Sequence, residues 1–209
     1  MRTLCAAAMA RTTARAVTSA ASVARGNDRK QGMMSGGELS TGIHSDIDQL
    51  IQDFRQRRAD LSAVAGGLIV PMGHLLNYDA PTNTCSLQVH IGGAEDNRKV
   101  YGNILHFLPI ISLFTINSPM VMEEYYGQSY RMNCSFAIGP IREDWTVRFQ
   151  DVILSKRLGT IEVRVCDPCW DVNLIKWLWL VIKAVAEIEE ALEPNIDLYN
   201  SQRDAICVQ

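Results

Sequence analysis

An excess of positive charge is the first thing this sequence lacks. Its 20 Lys and Arg stand against 23 Asp and Glu, a formal net charge of -3, so no cationic face that grips bulk nucleic acid is implied. A cysteine framework is missing too. The six cysteines, at 5, 85, 134, 166, 169 and 207, have no regular spacing, which reads as reduced thiols of an intracellular protein rather than a disulfide scaffold. Cys166-Asp167-Pro168-Cys169 has no second Cys/His pair at zinc-site spacing, which leaves a redox dithiol as its functional reading. No apolar run spans a membrane. Leu174 to Val185 comes nearest, and Lys176, Lys183 and Glu187 beside its stripe make it a buried helix instead. There is no internal repeat. No acid precedes Asp28, while Arg2, Arg11, Arg15 and Arg25 sit among Ala, Thr and Ser. That is the composition of a mitochondrial or chloroplast transit peptide, or of a disordered extension with Met33 or Met34 as the working start.

What is present is ordinary globular composition, 47% hydrophobic and 21% charged, sufficient for one core of moderate size. A helix is predicted from Ser45, its N-cap, with Asp46 and Asp48 in the first turn and Ile47, Leu50, Ile51, Phe54 and Leu61 as its stripe, ending at Gly66-Gly67. Leu68 to Met72 reads as a short strand broken at Pro71, followed by a loop over 73–83. Thr84 to Ile91 alternates as a strand, with Cys85, Leu87, Val89 and Ile91 on one face and Gln88 and His90 on the other. Asp96 to Thr115 has helical spacing, which Pro109 should kink or break. Residues 120–133 form a polar, tyrosine-bearing loop of the kind where binding groups collect. Asp171 caps a final long helix, about Val172 to Leu192, with Ile175, Leu178, Trp179, Ile182, Val185 and Ala186 as its stripe, and the residues beyond Pro194 read as a loose tail.

The most informative stretch is Thr160 to Asp167. Ile161, Val163 and Val165 alternate with Thr160, Glu162 and Arg164, a strand with one face on a core. Glu162 and Arg164 therefore point the same way, about 7 Å apart along the strand. That pair suits a hard cation held beside a phosphate, although two surface charges that pair with each other are the commoner reason for such a pattern. His90, at a strand end, is either a metal ligand or a hydrogen-bonded structural residue.

Four separated motifs, Leu87-Gln88-Val89-His90-Ile91-Gly92, Asn117-Ser118-Pro119, Ser129-Tyr130-Arg131 and Gly159 to Asp167, occur in an order that resembles the carboxylate–amine ligase family related to glutamate–cysteine ligase, over roughly residues 45 to 192. The resemblance implies an α+β fold of the glutamine synthetase catalytic type, an antiparallel sheet with helices packed on one face, present only in part. It implies an ATP- and Mg2+-dependent ligation that makes a γ-glutamyl amide, as in glutathione biosynthesis, from glutamate and an amine such as cysteine, through an acyl phosphate. His90 and Glu162 match metal positions. Arg131 and Arg164 match catalytic residues that meet phosphate or substrate carboxylate, and Gln88, Asn117, Ser129 and Tyr130 join them as substrate or ATP contacts.

Two departures stand out. Family members open with a Glu-x-Glu strand that supplies further metal ligands, whereas Glu38 is the one glutamate here before residue 95. An arginine often found two residues after an aspartate is replaced by Ile153 after Asp151, with Lys156 and Arg157 the nearest substitutes. Divalent cation binding should therefore be weakened. The expectations are an N-terminal extension over 1–40, a ligase-like catalytic domain over 41–195 and a tail over 196–209. The protein is expected in the cytoplasm, or in an organelle if residues 1–31 direct import, with small-molecule partners, no nucleic acid and no membrane. A homo-oligomer, in which a second subunit supplies the missing acids, is compatible with the sequence. The alternative function is a catalytically impaired or truncated remnant that binds or regulates.

Overall fold

A computed structural model describes residues 7–14, 37–67, 73, 85–121, 124–135 and 137–208. The chain runs β1 (Ala7–Ala14), β2 (Gly37–Ser40), α1 (Ile47–Ala65), β3 (Leu87–Gly92), α2 (Asn97–Thr115), β4 (Met120–Val121), β5 (Glu124–Tyr125), α3 (Tyr130–Cys134), β6 (Val152–Ser155), β7 (Thr160–Val163), α4 (Val172–Ala186) and α5 (Ile196–Val208). Five strands make one sheet in the order β2-β1-β3-β7-β6, and β4 pairs with β5 in a separate ribbon. Every pairing in both sheets is antiparallel. The fold is α+β.

The alternation in β3 and β7 sets the layers. Leu87, Val89, Ile91, Ile161 and Val163 are all buried, and they join the apolar stripes of α2 and α4 in one core. Each such side chain contributes about 1.5–3 kcal/mol by leaving water. All six residues of the predicted α4 stripe are buried, and Asp171 caps the helix by accepting from the Asn173 N–H at 2.8 Å. The helix ends at Ala186, earlier than the periodicity predicts. Buried Asn103 explains this, because its amide donates to the Ile188 and Glu190 carbonyls and its oxygen accepts from the Leu192 N–H, so the chain there bonds to α2 and not to itself. At the start of α1 the cap is Asp46, one residue after the predicted Ser45, and the helix closes at Gly66 in the left-handed conformation.

Three expectations change. The helix α2 continues through Pro109, because buried Ile104, Leu105, Leu108 and Ile111 hold both halves against the same core. The loop over 120–133 contains the β4–β5 ribbon and the start of α3, whose cap Ser129 accepts from the Met132 N–H at 3.0 Å. Residues 196–208 are a helix rather than a loose tail, with Tyr199, Arg203 and Cys207 buried on one face. The arginine-rich, acid-free segment at the start supplies β1, which pairs with β3 so that Met9 stands opposite His90 and Arg11 opposite Gln88. The predicted strand over 68–72 and most of the following loop lie outside the described residues. No helix among the described residues is long and apolar enough to cross a membrane.

Gly73 is the described point of that region, and it passes very close to Ser118, between α2 and β4. A Cβ there would stand 2.8 Å from Ser118 Cβ and 3.4 Å from Arg131 Cβ. Rotating a hydroxyl cannot relieve a clash with a Cβ, so the backbone would have to shift. Gly73→Ala is expected to lower the unfolding free energy by about 1–3 kcal/mol, read as a lower urea midpoint with unchanged slope.

Candidate functional site

Antiparallel pairing of β3 with β7 sets His90 directly opposite Glu162, and β6 sets Ile153 opposite Glu162 on the other side. Residues directly opposite across a ladder point to the same face. The polar face of the sheet is thus built from Gln88 and His90, Thr160 and Glu162, and Arg164 just after β7. The His90 Nδ1 lies 3.0 Å from Thr160 Oγ1, and its Nε2 lies 4.0 Å from Glu162 Oε2. Glu162 Oε1 pairs with Arg164 Nη1 at 3.2 Å, and Arg164 Nη2 donates to the Ala137 carbonyl at 3.1 Å. Above these groups is an open cleft of about 630 Å³. Gln88, Glu162 and Arg164 line it, while His90, 1% exposed, sits beneath its floor.

The rest of the lining comes from the β6–β7 hairpin and the chain leading into it. The turn after Ser155 is closed by Gly159 at φ 64°, a conformation that suits glycine, and it carries Lys156 and Arg157 to the cleft. Arg148 and Thr146 complete the wall. Four cationic side chains therefore face one carboxylate on this cleft, in a chain whose net charge is -3. Lys156 and Arg157 are the residues that sequence reasoning offered in place of an arginine at Ile153, and Ile153 itself lines the cleft. Arg148 gave no signal in the sequence, because its placement depends on how the chain before β6 folds back over the sheet.

The remaining sequence-predicted residues lie apart from this cleft, and two of them, Asn117 and Arg131, meet at Asp167. Arg131, 2% exposed, donates from Nη1 to the Val165 carbonyl at 2.9 Å and to Asp167 Oδ1 at 3.2 Å, and from Nη2 to the Arg164 carbonyl at 2.9 Å. Asp167 Oδ2 accepts from the Asn117 N–H at 2.8 Å. Ser129 is buried as the cap of α3, and Tyr130 packs its ring edge-on to Tyr126 at 5.2 Å. The structure thus brings Gln88, His90, Glu162 and Arg164 together. It places Arg131 and Asn117 against the segment that follows β7, whereas the Ser129 and Tyr130 N–H groups bond to the Cys207 and Ser118 carbonyls.

A hard divalent cation fits this donor set poorly. Magnesium is typically held by carboxylate and phosphate oxygens. Among the described residues there is one carboxylate here, one of its oxygens is already paired with a guanidinium, and the neighbouring donor is an imidazole, which suits softer metals. Among the described residues no three His, Cys, Asp or Glu are grouped as a metal site.

The Cys166 and Cys169 pair does not offer the thiolate that disulfide exchange needs. Burial pushes the Cys166 thiol up to about 12, outweighing the Thr115 hydrogen bond and Arg131, and burial raises Cys169 as well. Cys207, fully buried on α5, is likewise pushed up to about 12 by burial. Iodoacetamide at pH 8 should therefore label half-buried Cys85, Cys134 and Cys169 in the native protein. Cys166 and Cys207 should react after urea is added, and native labelling of Cys166 at the rate of Cys169 would overturn this.

No family model matches the chain, and no curated protein matches it in sequence. Among solved structures, it is similar to a crystal structure of a bifunctional glutathione synthetase from Pasteurella multocida, with a TM-score of 0.66 and 12% identity, covering 99% of this chain and 41% of that one. It is also similar to a crystal structure of the complex between the prokaryotic ubiquitin-like protein Pup and its ligase PafA, with a TM-score of 0.50 and 14% identity, covering 99% of this chain and 52% of that one. At these identities the likeness is one of fold. The chain spans about half or less of the structures it matches.

Proposed function

We propose that the cleft beside β7 is a ligase-type site of the glutamate–cysteine kind, taking the phosphates of ATP and a substrate carboxylate next to them. The observation that carries this reading is the meeting of Gln88, Glu162 and Arg164 with Arg148, Lys156 and Arg157 on one cleft. It is supported by a fold shared with parts of two ligases. In that chemistry the terminal phosphoryl group passes from ATP to the side-chain carboxylate of glutamate and ADP leaves. An amine such as cysteine's then attacks the acyl carbon and displaces inorganic phosphate.

The protein's task in such a transfer is alignment and neutralisation of charge. Arg164, braced by Glu162 and the Ala137 carbonyl, faces the transferring group. Lys156 and Arg157 hold the outer phosphates, Gln88 orients the carboxylate substrate, and His90 fixes Glu162 from below. Arg131 is a positioning residue that holds the backbone of Arg164 and Val165, with Asn117, Ser129 and Tyr130 supporting its segment. The magnesium of the resembling family enters no step here, since the donors do not suit it.

The test is phosphate release from ATP with glutamate and a panel of amines. Turnover that is lost in Arg164→Met supports the reading, and no turnover above that variant overturns it. A second reading, the same fold kept for binding without catalysis, is favoured by one observation: the one carboxylate among the described residues of the cleft lining is already paired with Arg164. Nucleotide binding without phosphate release would select it.

A further inference from the structure

We infer that this cleft binds a polyphosphate through side-chain cations alone, without a divalent metal. The inference rests on the proposed function for the identity of the anion as a nucleotide, and it replaces the metal-bridged contact that the resemblance implies with a direct one. Three independent features point the same way.

The first is the charge of the lining. Arg148, Lys156, Arg157 and Arg164 meet one carboxylate, Glu162. Asp144, outside the lining but close enough to Lys156 to feel its charge, is held below its ordinary value chiefly by hydrogen bonds from Thr146, with Lys156 a smaller contribution. It therefore stays charged at neutral pH and offsets part of the cationic excess but not all of it. The second feature is Glu162 itself. Its Oε1 is 3.2 Å from Arg164 Nη1, so a guanidinium already occupies the place where a cation would balance it, and a metal brought to this carboxylate would face that positive charge at close range. The third is the strand beside β3. In that position β1 supplies Ala7 to Ala14, a stretch with no acid and so no carboxylate ligand to offer. Phosphate oxygens are well served by Arg and Lys donors, each a charge-assisted bond.

Isothermal titration calorimetry of the full chain with ATP, and separately with tripolyphosphate, in excess EDTA and in excess Mg2+, tests this. Affinity in EDTA is expected to equal or exceed that in Mg2+. The double variant Lys156→Met/Arg157→Met, on an exposed turn, is expected to weaken both ligands about tenfold or more and to flatten the salt dependence. Glu162→Gln is expected to tighten binding, where removal of a metal ligand would abolish it. Binding of ATP that needs Mg2+, or that Glu162→Gln destroys, overturns the inference and leaves the ligase reading standing. Tripolyphosphate binding as tight as ATP binding upholds the inference and counts against the ligase reading. An unchanged affinity in the double variant overturns the inference, and no binding of either anion overturns both.

Discussion

Arg203→Met is expected to lower the unfolding free energy by about 3–5 kcal/mol, because it leaves a buried carboxylate with its cation removed. Asp151 is 0% exposed and Arg203 4% exposed. Arg203 Nε donates to Asp151 Oδ2 at 2.6 Å, and Nη2 donates to Oδ1 at 3.1 Å and to the Met132 carbonyl. Tyr199 adds a hydrogen bond to Oδ2 at 2.7 Å, and the Gly139 N–H donates to Oδ1 at 3.1 Å. Burial works against the charge on Arg203, yet Asp151 outweighs it and holds the guanidinium above its ordinary value. Burial first, and then Asp151, raise the Tyr199 phenol well above its own. A domain of this size has about 5–15 kcal/mol in total, so the loss would take about a fifth or more of it. Urea unfolding followed by circular dichroism measures it. Tyr199→Phe, which removes one bond and leaves the ion pair, should cost about 1–2 kcal/mol. A cost below about 1 kcal/mol for Arg203→Met would show that the pair is not the anchor of α5.

Arg131→Met is the second large effect, again about 3–5 kcal/mol, and for a related reason. It strips Asp167, 1% exposed, of its cation and leaves the carbonyls of Arg164 and Val165 without their donor. The informative companion is Arg131→Lys. A single ammonium cannot reproduce the guanidinium's fork onto three acceptors, so stability falls. Its anion affinity, measured on the folded fraction, should change less than about threefold, because the guanidinium faces Asp167 and two backbone oxygens and not the cleft. The same exchange at Arg164 should weaken anion binding by about tenfold. Equal loss of affinity at both positions would return Arg131 to the binding group.

The parts of the molecule that were legible from residues alone are those where a local period matches a local element. The six-residue stripe of α4, its Asp171 cap, and the alternation around Val89 and Ile161 all declare themselves within one helix or one strand. The placement of His90 opposite Glu162 was implied by the resemblance alone, because neither strand's alternation says which strands lie side by side or in what register. Other parts depend on contacts distant in sequence. β1 reads as a targeting segment because Ala, Thr and Arg carry little strand signal, and its pairing partner is some 80 residues away. Ile196, Tyr199, Arg203 and Cys207 do recur at helical intervals, but an arginine on the inner side spoils the apolar pattern. That arginine is inside because of Asp151, which no window around residue 203 contains. Three of the four cations, Lys156, Arg157 and Arg164, were visible in the sequence, and the fourth, Arg148, became apparent through tertiary structure alone.

The two ion pairs also tie the cleft to the far end of the chain. The backbone oxygen of Asp151 accepts from the N–H groups of both Arg164 and Val165, at 2.8 and 3.2 Å, so the residue that α5 neutralises also fixes where the strand exit carrying Arg164 lies. A protease cut or premature stop anywhere between residues 195 and 203 would leave every cleft side chain in the polypeptide and still unseat them. Homologous chains should therefore be screened for an intact last helix before their cleft motifs are taken as a sign of binding competence.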